Sequence, residues 1–67
     1  METINWYTIE EQRESADFSD AETIGEFRDV RVATAHLIDI HKRPRPKRLI
    51  GWLDLDGMRS PVELIRI

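Results

Sequence analysis

The sequence predicts an α+β domain: a small antiparallel β-meander, three strands plus an N-terminal strand, with one short helix. Three observations carry this expectation. The stretch from Val30 to Ile67 divides into three apolar-rich runs separated by two turn signals. Asp56-Gly57, between the last two runs, is a preferred pair for a two-residue type I′ hairpin. Ser19-Asp20-Ala21-Glu22 has the form of a helix capping box, in which the serine oxygen accepts from the Glu22 amide and the Glu22 carboxylate reaches back to the serine amide.

Taken in order, Thr3 to Glu10 is rich in β-branched and aromatic residues and alternates Ile4 and Trp6 against Tyr7 and Ile9. It reads as the N-terminal strand, added to an edge of the meander. Glu11 to Phe18 is polar, without a period, and reads as a connection. Ile24, Phe27 and Val30 follow the capping box at helical spacing and predict the short helix, although Gly25 costs it about 1 kcal/mol relative to alanine. The competing reading takes residues from about Glu26 into the first meander strand.

The meander itself is read outward from its turns. If Leu55 pairs with Met58, then Asp54 faces Arg59, Trp52 faces Pro61, Ile50 faces Glu63 and Leu49 faces Leu64. That register gathers Leu49, Leu53, Leu55, Met58, Val62 and Leu64 on one apolar face, with room at Gly51. The other turn, HKRPRPKR, carries two prolines and five cations and predicts a protruding, solvated hairpin loop. Closing the strands around Pro44 and Arg45 brings Ile40 to Leu49 and Ile38 to Gly51.

With 67 residues the chain forms a single small domain, 1–67. At this size folding removes only about 60% of the unfolded surface from water. No cysteine is present to staple it, and no apolar run approaches the ~20 residues of a membrane span. The N-terminus lacks a basic segment followed by an apolar core, so the sequence reads as a complete, soluble cytoplasmic protein. Its net charge of −3 hides a division: residues 1 to 29 carry nine acids against two cations, residues 30 to 67 eight cations against four acids. Whether this division is also one in space depends on the fold: an acidic half laid across the basic loop, or head-to-tail contact between copies, would neutralise it.

The candidate binding residues are Lys42, Arg43, Arg45, Lys47, Arg48, Trp52 and Arg59. Five cations within seven residues can neutralise phosphates or pair bidentately with carboxylates, and the prolines stiffen the tip; the plainer reading is a solvated tip. Trp52 falls on the face of Arg48 and Arg59, where it either packs at a core or interface or offers a stacking platform for bases. His36 and His41 stand five apart, which on a strand sends them to opposite faces, so they do not chelate one ion. Asp54, Asp56, Gly57 and Glu63 overlap the tail of a calcium-loop pattern, but Trp52 would take its first ligand position. No metal or cofactor is expected, and the three serines lack a base partner for nucleophilic chemistry.

The function expected from these residues is non-enzymatic: a small regulatory or inhibitory protein that binds a macromolecular partner, a protein first, through the basic hairpin loop and the adjacent Trp52 face. The alternative is a nucleic-acid-binding module using the same loop, although an acidic chain with one basic patch lacks the broad positive footprint of such proteins. A small RNA-cleaving toxin using His36 or His41 ranks below both. Size and charge also fit the small accessory proteins of phages and plasmids. Ile4, Trp6, Tyr7, Ile9 and Trp52 form an apolar surplus that a symmetric homodimer would bury.

Overall fold

The structure, a computed structural model, describes residues 3–15 and 17–67. In chain order its elements are β1 (Thr3–Glu11), β2 (Glu22–Phe27), α1 (Val30–Ile40), β3 (Lys47–Leu55) and β4 (Met58–Arg66). The strands form one sheet in the order β2-β1-β3-β4, and every neighbouring pair is antiparallel. The α+β class, four antiparallel strands and one short helix, is the predicted one. The positions of the helix and of one strand are exchanged.

Residues 30 to 40, expected as a meander strand, are the helix. Asp29 supplies the cap that decides it: extended at φ −121° and ψ 124°, it accepts from the Arg31 amide at 2.8 Å. Ala33, Leu37 and Ile40 then recur at helical spacing, the first two fully buried and the third packed at the core margin. The run VRVATAHLIDI satisfies both periods, since Val32, Ile38 and Ile40 also alternate like a strand. Two alanines, a leucine and an N-cap favour the helix. The expected pairings of Ile40 with Leu49 and Ile38 with Gly51 therefore do not occur.

Residues 22 to 27, expected as the helix, are β2. The capping-box serine is engaged elsewhere: the Ser19 amide donates to Asp17 Oδ1 at 2.9 Å and its hydroxyl lies 3.0 Å from that of Ser15. Thr23, Ile24 and Phe27 suit a strand, and Gly25 is accommodated because a Cβ there would come within 2.8 Å of the Phe27 ring. β1 is consequently internal, between β2 and β3, rather than at an edge. The chain passes from β2 through α1 to β3 across β1.

The Asp-Gly hairpin is as predicted for most of its length. Asp56 and Gly57 have φ of 50° and 81°, the left-handed pair a type I′ turn requires. The register runs Leu55↔Met58, Asp54↔Arg59, Trp52↔Pro61, Ile50↔Glu63. There a bulge leaves Leu64 unpaired, so Leu49 faces Ile65 instead. A second bulge, at Asn5, returns Ile4 to the side of Tyr7 and Ile9, opposite to Trp6.

The core lies between α1 and the sheet: Tyr7, Ile9, Ala33, Leu37 and Leu49, with Ile4, Ile24, Phe27, Ile40 and Ile65 packed around them. Gly51 belongs to the same face, where an added Cβ would meet Ile4 Cγ2 at 2.9 Å and Leu64 Cδ1 at 3.1 Å. Tyr7 and Ile9, expected as surplus for a dimer, are thus used inside the monomer. Among the described residues no helix is long and apolar enough to cross a membrane.

Candidate binding surface

The basic segment is the connection from α1 to β3, not a hairpin tip, and its cations divide into two groups. Lys47 and Arg48 already belong to β3, where the ladder sets them opposite Glu11 and Glu10 of β1. Lys47 is 1% exposed. Its Nζ donates to the carbonyls of Arg43 (3.1 Å) and Arg45 and lies 3.6 Å from Glu11 Oε2. This ammonium folds the loop around itself from inside, which removes it from the binding set. Glu11 Oε2 accepts no hydrogen bond and is held by charge alone, between Lys47 and Arg43 Nε at 3.8 Å.

Arg48 is half-buried. Its Nε donates to Glu10 Oε1 at 2.7 Å and its Nη1 lies 3.7 Å from Glu63 Oε1. Its guanidinium also lies 4.5 Å from the centre of the Phe18 ring, and Arg66 shares that ring at 4.9 Å. The β1–β2 connection thus crosses the helix-free face and covers that end of it. Lys42, Arg43 and Arg45 stay exposed; Arg45 Nη1 reaches the Gln12 carbonyl at 3.5 Å.

Trp52 stands on the helix-free face, five residues along β3 from Lys47, or about 17 Å. It stacks on Trp6, its cross-strand partner, with centroids 5.4 Å apart and planes at 28°. Its Nε1–H donates to Thr8 Oγ1 at 2.9 Å, so the indole has both a fixed orientation and a satisfied donor. Arg59 lies over the Trp6 ring at 4.8 Å. Ile50 is buried beneath this layer, and Pro61 flanks Trp52 on β4. The sequence pointed to Trp52, Arg48 and Arg59 on one face, and they share it. It named Trp6 as exposed apolar surplus without placing it beside Trp52, and it missed Phe18, Glu10 and Glu11: Phe18 sits in an aperiodic loop, and Trp6 and the acids find their partners only once β1 is placed beside β3.

His36 and His41 lie on α1 and at its end. The His36 ring packs against Phe27 with centroids 5.2 Å apart, and His41 Nδ1 meets the Ile38 carbonyl, which also accepts from the His41 amide at the helix terminus. They point about 140° apart around the helix axis. Among the described residues no three His, Cys, Asp or Glu side chains gather as metal ligands. Two carboxyl groups are held below the ordinary carboxylate range. Hydrogen bonds from the Ser15 hydroxyl and the Ser19 amide bring Asp17 down to about 2, and the Arg31 amide lowers Asp29.

The surface can therefore do two things: offer a rigid aromatic pair with an arginine, and offer three solvated cations at one end of the sheet. No protein-family model, no curated protein and no solved structure matches the chain.

Proposed function

We propose that this chain is a non-enzymatic small regulatory or inhibitory protein of the cytoplasm whose partner is another protein. The observation that carries the reading is the Trp6–Trp52 stack beneath Arg59, half-exposed on a sheet face that no helix covers. Tryptophan and arginine dominate the energetics of protein interfaces, and here the indole pair is held in place before binding by its stack and the Thr8 hydrogen bond, which lowers the ordering cost. Lys42, Arg43 and Arg45 serve as the charged rim. A patch of about 800 Å² per partner spans the ~17 Å between loop and tryptophans, so one interface can use both. Protein is favoured over nucleic acid because Lys47 and Arg48 are occupied internally and each tryptophan already has one ring face against the other. Self-association as a homodimer is part of this reading.

The test uses the wild-type chain and Trp52→Ala as parallel baits in lysate of the source organism, with and without nuclease. A protein captured by wild type, resistant to nuclease and lost with Trp52→Ala supports the reading. Capture of nucleic acid alone, or capture indifferent to Trp52, overturns it.

A further inference from the structure

The helix side of the sheet is only half covered. α1 packs on β1, β2 and β3 and stands clear of β4. The gap is a groove of about 600 Å³ lined by Thr34, Leu37, Ile38, His41, Ile65 and Ile67. From the groove the apolar face continues along β4 and β3, through Leu64 and Val62, to Leu55 and Met58 at the hairpin tip. Ile38 at one end is 62% exposed and Met58 at the other 73%.

We propose that a second copy of the chain covers this face, the two copies related by a twofold axis between the faces and perpendicular to β4 near Val62. The inference rests on the self-association named above and supplies its surface. Shape favours it: each copy is thick where α1 lies and thin at the hairpin tip, so a reversed copy sets helix flank against hairpin. Charge favours it as well. The tip turn carries Asp56, the groove end at His41 leads directly into Lys42 and Arg43, and the same axis brings tip to loop twice. Area is sufficient: the open side chains expose on the order of 600 Å² of apolar surface per copy, at the upper end for a lone monomer, and two such patches reach the lower bound of a specific interface.

Edge-to-edge pairing of β4 is another symmetric arrangement, and Pro61 opposes it. Counted from the two-residue turn, residues 59, 61 and 63 direct their backbone groups away from β3, and Pro61 has no N–H to give. The open edge is interrupted at its middle while the open face is not.

The experiment is sedimentation equilibrium on the full chain from about 5 to about 500 µM, where mass action separates monomer from dimer. Wild type is expected at twice the 7.9 kDa chain mass. Met58→Glu and Ile38→Glu, both at exposed positions and checked for unchanged circular dichroism, should each raise the dimer dissociation constant about 100-fold. Because the chain has no cysteine, Met58→Cys and Ile38→Cys report geometry directly. Mixed under oxidation they should cross-link far faster than either variant alone. A wild-type monomer at every concentration overturns both this inference and self-association. A dimer that ignores the two charges, or that cross-links through Met58→Cys alone, leaves self-association standing and overturns the face. Neither result bears on Trp6 and Trp52, which lie on the opposite side of the sheet, and only the loop cations adjoin both surfaces.

Discussion

Lys47 Nζ lies 3.6 Å from Glu11 Oε2 across the β1–β3 ladder, and the lysine side chain is 1% exposed. The two halves of the chain, acidic and basic, meet through this contact and through Glu10 with Arg48 beside it. Much of what reads in sequence as a binding cluster is thus the seam that joins β3 to β1.

The seam can be tested by stability. Lys47→Met leaves the Glu11 carboxylate buried without its ammonium and should cost about 3 to 5 kcal/mol in urea denaturation. The double variant Glu11→Leu with Lys47→Met should recover part of that loss, since no buried charge is then left alone, while the Arg43 and Arg45 carbonyls still lose their donor. A single variant as stable as wild type would show that the ammonium is dispensable.

Leu49, fully buried between α1 and the sheet, should cost about 2 to 5 kcal/mol when replaced by alanine. Leu53 shares the strand and the face but lies beyond the helix and is half-buried, so Leu53→Ala should cost clearly less. Arg45→Ala should scarcely change stability. Equal losses for the two leucines would mean that the hairpin end is as well covered as the helix end.

Legibility in the sequence followed the range of the interactions. The Asp-Gly turn is local chemistry, and its register could be counted out correctly to Ile50↔Glu63, failing only where an unpaired Leu64 slips the ladder. The Thr3 strand was equally plain from its side chains. Residues 30 to 40 read as a strand because their apolar pattern fits two periods, and what decides for the helix is the cap of a single residue, Asp29. Residues 19 to 22 were misread for the converse reason: a correct local motif was outbid by the Ser15-Asp17-Ser19 network. Of the site, Trp52, Arg48 and Arg59 were found because the hairpin register places them, whereas Trp6 and the occupied state of Lys47 depend on a strand forty residues away in sequence.

That serine and aspartate network should respond to acid. Asp17 has its folded value near 2, below the 3.8 of the free group. Its contribution is therefore complete above about pH 4 and is lost as pH falls through 2. Over that window the Ser19 amide should lose protection from hydrogen exchange, and Phe18 its place between Arg48 and Arg66. Asp17→Asn should abolish the acid dependence at the Ser19 amide, while Asp29, lowered by the Arg31 amide, continues to titrate at the helix start. An unchanged Ser19 exchange profile from pH 5 to below 2, corrected for intrinsic rates, would dismiss the network.

The last prediction separates the roles of the two exposed groups once the partner is in hand. Lys42, Arg43 and Arg45 are exposed and only loosely tied to the body of the chain, so replacing all three with alanine should lower the association rate and flatten its dependence on salt, with little change in dissociation. Trp52 is the opposite case. Its ring is fixed by the Trp6 stack and the Thr8 hydroxyl, so Trp52→Ala removes a preorganised anchor and should raise the dissociation rate by one to two orders of magnitude. The same substitution weakens the monomer, because Trp6 loses its partner, and a cycle with Trp6→Ala should return a coupling of about 0.5 to 1.5 kcal/mol. Thr8→Val isolates the orienting hydrogen bond: it leaves the stack in place and should raise dissociation less than Trp52→Ala does. If dissociation is unchanged in Trp52→Ala while the triple loop variant fails to bind at all, the loop is the anchor, and the tryptophans are a covering for Ile50.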